Sequence, residues 1–432
     1  MEQKQRTKRI ISHIIASTAI VTTILAISVP AKADVDPSAC AALAAERADQ
    51  LHGYPLGNDL SLFMAGNQFV VFENVMKSFN ASIGKDPSDI SRDPRYYIEL
   101  IPPGLEVSQI LSGCLTVGAE NPENFLPFIN TALADVYAST VVEHMDTLAA
   151  HGFIYKTRKY IKNKLDLMVP AGNPGGIGSG GLIDATLDLL DPAIAVSEVD
   201  HINEGIHRGI NKMYRLMDSY VRSYGTPTEV AQLDARLAAV KVPQPGSPAE
   251  VRTIEEGITT NFNLETNPAC NYGDGIDAND DGDFDDSGDT PPTLRFCEFA
   301  ILNKANTFET RVHHIETAAR IREGSSDTGP LWVSEVIYAR KQAEDVEGVD
   351  IAAMDPNEEV NQPVTYYVTI VEKTLNANHK KLAAEFVNFL RSPAGQQIYE
   401  DGGFIALDDE ELAFEKVFSG NTNVIRSNPR AW

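Results

Sequence analysis

The sequence predicts an α/β fold in which a mixed, mostly parallel sheet is flanked by helices. Three observations carry that expectation. Apolar runs of strand length alternate with apolar residues at helical spacing. Glycine and proline stand at most of the junctions. The composition is ordinary for a globular chain, 43% hydrophobic and 22% charged over 432 residues, which excludes a disordered or multi-span membrane protein. The length allows two or three domains, or one fold split into two lobes.

The first residues are set aside before the fold is read. Lys4, Arg6, Lys8 and Arg9 precede an apolar run from Ile10 to Val29, and Ala31-Lys32-Ala33 places small residues where a signal peptidase needs them. Residues 1–33 are therefore expected to be a secretory signal peptide, with the mature chain starting at Asp34. An uncleaved anchor is the alternative, because the run reaches about 20 residues, enough to span a bilayer. The formal charge is -25. Residues 1–33 hold five basic residues and one acid, so the mature chain carries -29. Such acidity argues against nucleic-acid binding and against docking on an anionic membrane. It leaves a local site of opposite sign open. Export would expose four cysteines to an oxidising compartment. Cys270 and Cys297 bracket a Gly/Asp-rich stretch and are paired on that ground, leaving Cys40 with Cys114. Free buried thiols are the alternative. The absence of C-x-x-C argues against a zinc site.

The elements follow in order. Asp59 to Ala65 reads as a buried strand, followed by a turn at Gly66-Asn67-Gln68 and a helix marked by Phe69, Phe72, Val75, Met76 and Phe79. Tyr96 to Ile101 is a second strand, broken by Pro102-Pro103-Gly104 before a helix through Val107, Ile110 and Leu111. Ala134 to Ala138 is a strand ending at Ser139-Thr140, with a helix over His144–Ala150 that stops near Gly152. Lys164 to Val169 is a strand closed by Pro170. The glycine run 172–181 lacks the phosphate-binding pattern and reads as a flexible loop. A strand at 193–197 and an amphipathic helix at 203–224 follow, then a Pro-rich connector at 241–249 and an acidic, Gly-rich insertion at 267–293. The chain resumes with a helix at 317–323, a strand at 329–333, a strand at 364–371 and a helix with Leu382, Phe386, Phe389 and Leu390 on one face. Ser392-Pro393 starts the last helix as N-cap and N1, and Gly402-Gly403 ends it.

Four segments bring the chain close to a known family. Lys381 to Phe404, with Phe386-Val-Asn-Phe-Leu-Arg-Ser-Pro-Ala-Gly-Gln396 at its centre, resembles the C-terminal segment of solute-binding proteins of ABC importers. Ala134-Asp-Val-Tyr-Ala-Ser139, Asn163 to Pro174 and Val196 to Gly205 are similar to segments of the molybdate/tungstate-binding type. The resemblance covers roughly two thirds of the mature chain. It departs at Ala65-Gly66-Asn67-Gln68, where the family has a serine, at Pro102-Pro103-Gly104, and in a longer block at 206–306. The resemblance implies a two-lobed periplasmic-binding-protein fold of type II. Lobe I would hold 34–165 and 366–432, and lobe II 166–365 with the insertion. It implies a monomeric periplasmic receptor, not an enzyme, that captures a small oxyanion such as molybdate, tungstate or a sulfate-like ion and delivers it to a permease. A receptor or sensor for a metal or an organic anion is the alternative, and a secreted hydrolase or structural protein a third class. No catalytic motif supports the third.

A deprotonated oxyanion offers acceptors only, so its site needs donors. Asn67, Gln68, Ser139, Thr140, Ser197 and Glu198 stand at strand-to-helix turns and are the candidates, although such residues also serve as plain N-caps. Arg311 could grip an anion bidentately. His313 could donate or titrate, and with His314 and Glu316 could instead help hold a metal. Trp332 stands where the family's cleft often carries an aromatic ring. Asp277, Asn279, Asp281, Asp283 and Asp285 match the opening of a calcium loop, with Gly282 at its sixth position. Gly288 replaces the usual glutamate at the twelfth, and a solvated acidic turn is the alternative to structural Ca²⁺.

Overall fold

Leu60-Ser-Leu-Phe63 is buried at every position, as befits a strand with covered faces and parallel neighbours. The computed structural model describes residues 41–43, 51–88, 93–117, 128–199, 205–240, 307–309, 315–342, 345–355, 360–375 and 378–418. The leader 1–33, Cys40, Cys270, Cys297, Arg311, His313 and the acidic insertion lie outside them.

Fifteen described strands form four sheets. Those of the largest are β2 (Leu51–Gly53), β3 (Leu60–Phe63), β4 (Tyr96–Glu99), β7 (Val136–Ser139), β8 (Lys156–Asn163), β14 (Val364–Ile370) and β15 (Glu415–Val417), in the order β15-β8-β14-β7-β3-β4-β2. A three-stranded sheet is ordered β12-β9-β13, from β9 (Leu165–Pro170), β12 (Gly329–Trp332) and β13 (Val346–Val349). β1 (Ala41–Leu43), β5 (Leu115–Val117) and β6 (Phe128–Asn130) make a third, and β10 (Val196–Glu198) with β11 (Thr307–Glu309) a fourth. The helices are α1 (Phe72–Ser82), α2 (Pro103–Ser112), α3 (Val142–Ala150), α4 (Leu182–Leu189), α5 (Ile206–Tyr224), α6 (Pro227–Val240), α7 (Ile315–Arg322), α8 (Val333–Lys341), α9 (Ile351–Met354), α10 (Lys380–Leu390), α11 (Pro393–Asp401) and α12 (Asp409–Ala413). A short 3₁₀ turn spans Gly66–Val70. Among the described residues no helix is long and apolar enough to cross a membrane.

The fold is α/β with mixed sheets, as expected. Parallel pairing joins β3 to β4 and β7, β1 to β5 and β10 to β11. β14 runs antiparallel to both β7 and β8, because it returns from the three-stranded sheet in the opposite sense. The strand period of two assigns side chains to opposite faces of the large sheet. Leu60, Leu62, Ile98, Val136 and Ala138 join one core, with Phe79 of α1 and Phe386 and Phe389 of α10. Phe63, Tyr97 and Tyr137 join a second, with Val107 and Ile110 of α2 and Met145 and Leu148 of α3. On β9, Leu165, Leu167 and Val169 belong to the first core, while Met168 packs with Ile321, Leu331 and Val336. One apolar core therefore runs across both sheets.

Between the two sheets the chain crosses at a single residue, Lys164. Asn163 Oδ1 accepts from the Lys164 amide at 2.9 Å, and Asn163 Nδ2 donates to Ser334 Oγ at 2.8 Å. The Leu165 amide donates to Asn361 Oδ1 at 3.1 Å, and Asn361 Nδ2 donates back to the Leu165 carbonyl. The crossing is held by side-chain amides that satisfy its backbone, as buried polar backbone requires.

The glycine run departs from the flexible loop read in the sequence. Asn173 bonds Ile177 through both its side-chain atoms, at 2.8 and 3.0 Å, and Asp188 and Asp184 accept from the Gly178 and Gly180 amides at 2.9 and 2.8 Å. Short polar side chains thus tie down a backbone that glycine alone would leave loose. The last helix starts as its sequence indicates, with Ser392 Oγ accepting from Gly395 N at 3.2 Å. Gly403 follows it at φ 89°, where a Cβ would also stand 2.6 Å from Ile337 Cδ1.

Phe79 is fully buried, with ring centroids 5.1 Å from Phe386 and 5.6 Å from Phe389. Phe79→Ala is expected to cost about 3–5 kcal/mol, read from the urea midpoint. A loss under about 1 kcal/mol would contradict this packing. Cys114 is buried and disulfide-bonded. In the β1–β5 pair Ala41 faces Leu115. Non-reducing peptide mapping is expected to return Cys40–Cys114, and a Cys114 peptide linked to Cys270 or Cys297 would contradict the pairing.

Candidate functional site

β3, β4, β7 and β8 end at one edge of the large sheet, and β14 begins there. Ligands of open α/β sheets bind at such carboxyl-terminal edges. Polar side chains gather at this one, and most are fully buried. Asn67 Nδ2 donates to Tyr366 Oη at 2.6 Å. Gln68, 0% exposed, has no partner for either of its amide atoms. Glu106, also 0% exposed, has none for either carboxyl oxygen. The Ile101 and Met64 amides at the ends of β4 and β3 offset part of the burial of its charge, although the Met64 amide also bonds the Glu99 carbonyl at 2.9 Å. Thr140 Oγ1, Tyr160 Oη and Tyr399 Oη are likewise buried and unpartnered. A buried polar group without a partner costs about 1–3 kcal/mol. A cluster of them at a sheet edge makes that edge the candidate site for a polar ligand or ordered water.

An aromatic wall backs these groups. Tyr160 stands 6.1 Å from Tyr366 and 5.8 Å from Tyr399, both edge-on, and Trp332 lies 5.6 Å from Tyr366. The wall excludes water and lowers the local dielectric. Burial accordingly raises the hydroxyl pKa of Tyr160, with Tyr399, Tyr366 and Glu106 adding to it.

Beneath the edge lies a carboxylate pair. Glu99 Oε1 accepts from Gln109 Nε2 at 2.9 Å and Asn130 Nδ2 at 2.8 Å. Burial pushes its pKa up to about 7, offset in part by Gln109, Tyr97 and Asn130. Glu106 is raised well above the ordinary carboxylate value, first by burial and then by the charge of Glu99. Glu335, buried in the first turn of α8, adds to the elevation of Tyr366.

The structure brings Asn67, Gln68, Ser139 and Thr140 to the same edge, and Trp332 reaches it through Tyr366. Ser139 Oγ accepts from the Val141 amide at 2.9 Å and bonds His144 Nδ1 at 3.1 Å, so it caps its own turn. A Cβ at Gly205 would stand 2.3 Å from Thr140 Oγ1. The start of α5 therefore presses on the β7–α3 turn in a way only glycine permits. Ser197 Oγ bonds Thr317 Oγ1 at 3.0 Å, and Glu198 accepts from Tyr214 Oη. Glu106, Tyr160, Asn163, Tyr366 and Tyr399 were not singled out from the sequence. For Glu106 a signal exists: α2 buries Pro103, Glu106, Val107 and Ile110, so an acid occupies its apolar stripe.

Residues 300–405 match the model of a family described as bacterial extracellular solute-binding protein. That span contains the segment at 381–404 that carried the resemblance most strongly. No curated protein matches the chain. Among solved structures, a substrate-binding domain of a molybdenum ABC transporter from Clostridium difficile is similar, at 13% identity and TM-score 0.38 over 81% of this chain and 99% of that one. The sulfate-binding protein of Mycobacterium tuberculosis aligns at 13% and 0.44 over 82% and 88%. The periplasmic molybdate-binding protein of Azotobacter vinelandii aligns at 14% and 0.44 over 81% and 100%.

A raised folded pKa favours folding below the unfolded value and loses that contribution as pH rises through the folded one. For Glu99 the window runs from about 4.5 to about 7. Glu99→Gln, which mimics the neutral acid, is expected to make the fall in stability over that window smaller than in the parent by about 3 kcal/mol. Urea midpoints at both ends of the window measure it. Parallel profiles for the two proteins would contradict the assignment.

Proposed function

We propose that the protein is the solute-binding component of an ABC importer, and that it captures a small oxyanion at the carboxyl-terminal edge of the large sheet. The observation that supports this reading is the set of buried, unpartnered polar side chains at that edge, Gln68, Glu106, Thr140, Tyr160 and Tyr399. Amide and hydroxyl hydrogens are what an acceptor-only anion requires. The family match over 300–405 agrees with solute binding in general. The segments that pointed to molybdate, tungstate or sulfate-like ions, at 134–139, 163–174 and 196–205, fall outside it, so the choice of anion rests on their resemblance. Arg311 and His313 are proposed to complete the site.

The mature chain's charge of -29 would repel an anion at long range. Screening at physiological salt confines that repulsion to about 8 Å, within which donors dominate. We further propose export to the periplasm with cleavage after Ala33, a monomeric receptor that hands its solute to the permease, and structural Ca²⁺ at Asp277, Asn279, Asp281, Asp283 and Asp285. Binding, not catalysis, is the role.

A second reading has its own observation. Among the described residues the edge carries buried acids, Glu106 and Glu335, and ionised carboxylates would suit a cation.

Calorimetry on residues 34–432 with molybdate, tungstate, sulfate, phosphate and divalent metals separates the readings. Heat with an oxyanion is expected, with a melting shift equivalent to about 2.7 kcal/mol at a hundred times Kd. Gln68→Ala is expected to weaken binding by about tenfold or more, the loss of at least one good hydrogen bond. Heat with cations alone would establish the second reading, and no heat with any of these solutes would overturn both. Elemental analysis is expected to find calcium that EDTA removes with a lower Tm; an unchanged Tm and no calcium would leave 277–285 a solvated acidic turn.

A further inference from the structure

The carboxyl of Glu106 is the most exacting group at the edge. It sits on α2, fully buried, with both oxygens unpartnered. The side chains that face it are acids and phenols, and the Ile101 and Met64 amides approach it from the backbone. Glu99 and Tyr97 come from β4, Tyr137 from β7 and Tyr160 from β8. Tyr137 Oη is engaged with the Pro103 carbonyl at 3.1 Å and His144 Nδ1 at 3.0 Å. On α3, which packs beside α2, Glu143 is exposed and Asp146 pairs with Lys416 at 2.7 Å. β3 and β5 carry no ionisable side chain, and Gly205, which meets α2 at Pro103, has no side chain at all. Among the described residues the basic side chain counted as buried is Lys156. It lies 3.3 Å from Glu415 on the edge strand β15. An ionised Glu106 would thus be a buried charge beside a second acid, offset only in part by the Ile101 and Met64 amides. Such a charge is removed by protonation.

A neutral carboxyl changes what the site can hold. Its O–H is a donor, and with the Gln68 amide and the Tyr160, Tyr399 and Thr140 hydroxyls it gives a set rich in hydrogens. Resting on the oxyanion reading above, we propose that Glu106 carries a proton when the solute is bound and donates it in a hydrogen bond to a fully deprotonated oxyanion, so that capture is coupled to pH. No proton is transferred in this step. Where Glu106 is already protonated in the free protein, the dianion enters without proton exchange. At higher pH, where Glu106 has ionised in the free protein, one proton is taken from solvent for each anion bound.

The test is titration calorimetry of the mature chain with sulfate and molybdate from pH 5 to 10, in paired buffers of different ionisation enthalpy. Sulfate stays fully deprotonated throughout, so its profile reports the protein. Affinity is expected to be flat at low pH and to fall above the ionisation of Glu106, approaching about tenfold per pH unit. The paired buffers are expected to show proton uptake rising toward one per sulfate over the same range. Glu106→Gln keeps a donor that does not ionise, and the slope is expected to vanish in it, whatever its absolute affinity. The wild-type proton count stands without the variant should that fail to fold. Sulfate or molybdate binding with a level profile and no proton uptake would overturn the inference and leave the oxyanion reading standing. Affinity that rises with pH, together with divalent-metal binding, would overturn it in favour of Glu106 as a metal-ligating carboxylate. Absence of any anion binding across the range would remove the oxyanion reading and the inference with it.

Discussion

Polar side chains buried where strands end are the constraint on which this molecule turns. A core as continuous as the one running from α1 and α10 across both sheets to β9 can carry a few unpartnered groups, each costing about 1–3 kcal/mol. A single scattered one needs no special account. Gln68, Glu106, Thr140, Tyr160 and Tyr399 instead stand on separate elements that end at one edge. Three of them have an independent structural reason to stand there. The 3₁₀ turn after β3 delivers Gln68, the proline that opens α2 sets the turn bearing Glu106, and the Ser139 cap fixes the turn bearing Thr140.

The single-residue crossing at Lys164 belongs to the same arrangement. Asn163 and Asn361 satisfy its backbone, and the Val333 amide donates to the Lys164 carbonyl at 2.9 Å. The start of α8, with Ser334 and Glu335, is thereby held against the start of β14. Phe69 meets Tyr338 edge-on at 5.2 Å, joining the turn after β3 to the same helix. Elements of both sheets are fixed around the edge by directional bonds rather than by apolar contact alone, which favours a specific geometry over a loose one.

Much of the fold was legible because the strand and helix periods are written plainly. Leu60 to Phe63, Val136 to Ser139 and the stripe of Phe386, Phe389 and Leu390 fall where the pattern places them. β8 was not read from the sequence. Lys156 to Asn163 mixes basic and apolar residues, and its basic side chains serve Glu411 and Glu415 across the chain, contacts that no local pattern reveals. At the site, the strand-to-helix turns pointed to Asn67, Gln68, Ser139 and Thr140. The pattern could not tell that Ser139 spends its hydroxyl on its own turn and His144 while Gln68 spends nothing. It also could not find Tyr160, Tyr366 and Tyr399, which lie far apart in sequence and become a wall only through the β8–β14 ladder and α11.

This buried edge is the proposed seat of the solute. That placement is tested most directly by a crystal structure of the mature protein grown with molybdate, with the metal located by its anomalous scattering. A single molybdenum peak is expected at the edge, with oxyanion oxygens within hydrogen-bond distance of the Gln68 amide and the Glu106 carboxyl. A peak elsewhere on the protein, with the Gln68 amide bonded to other protein groups and the edge closed, would contradict it.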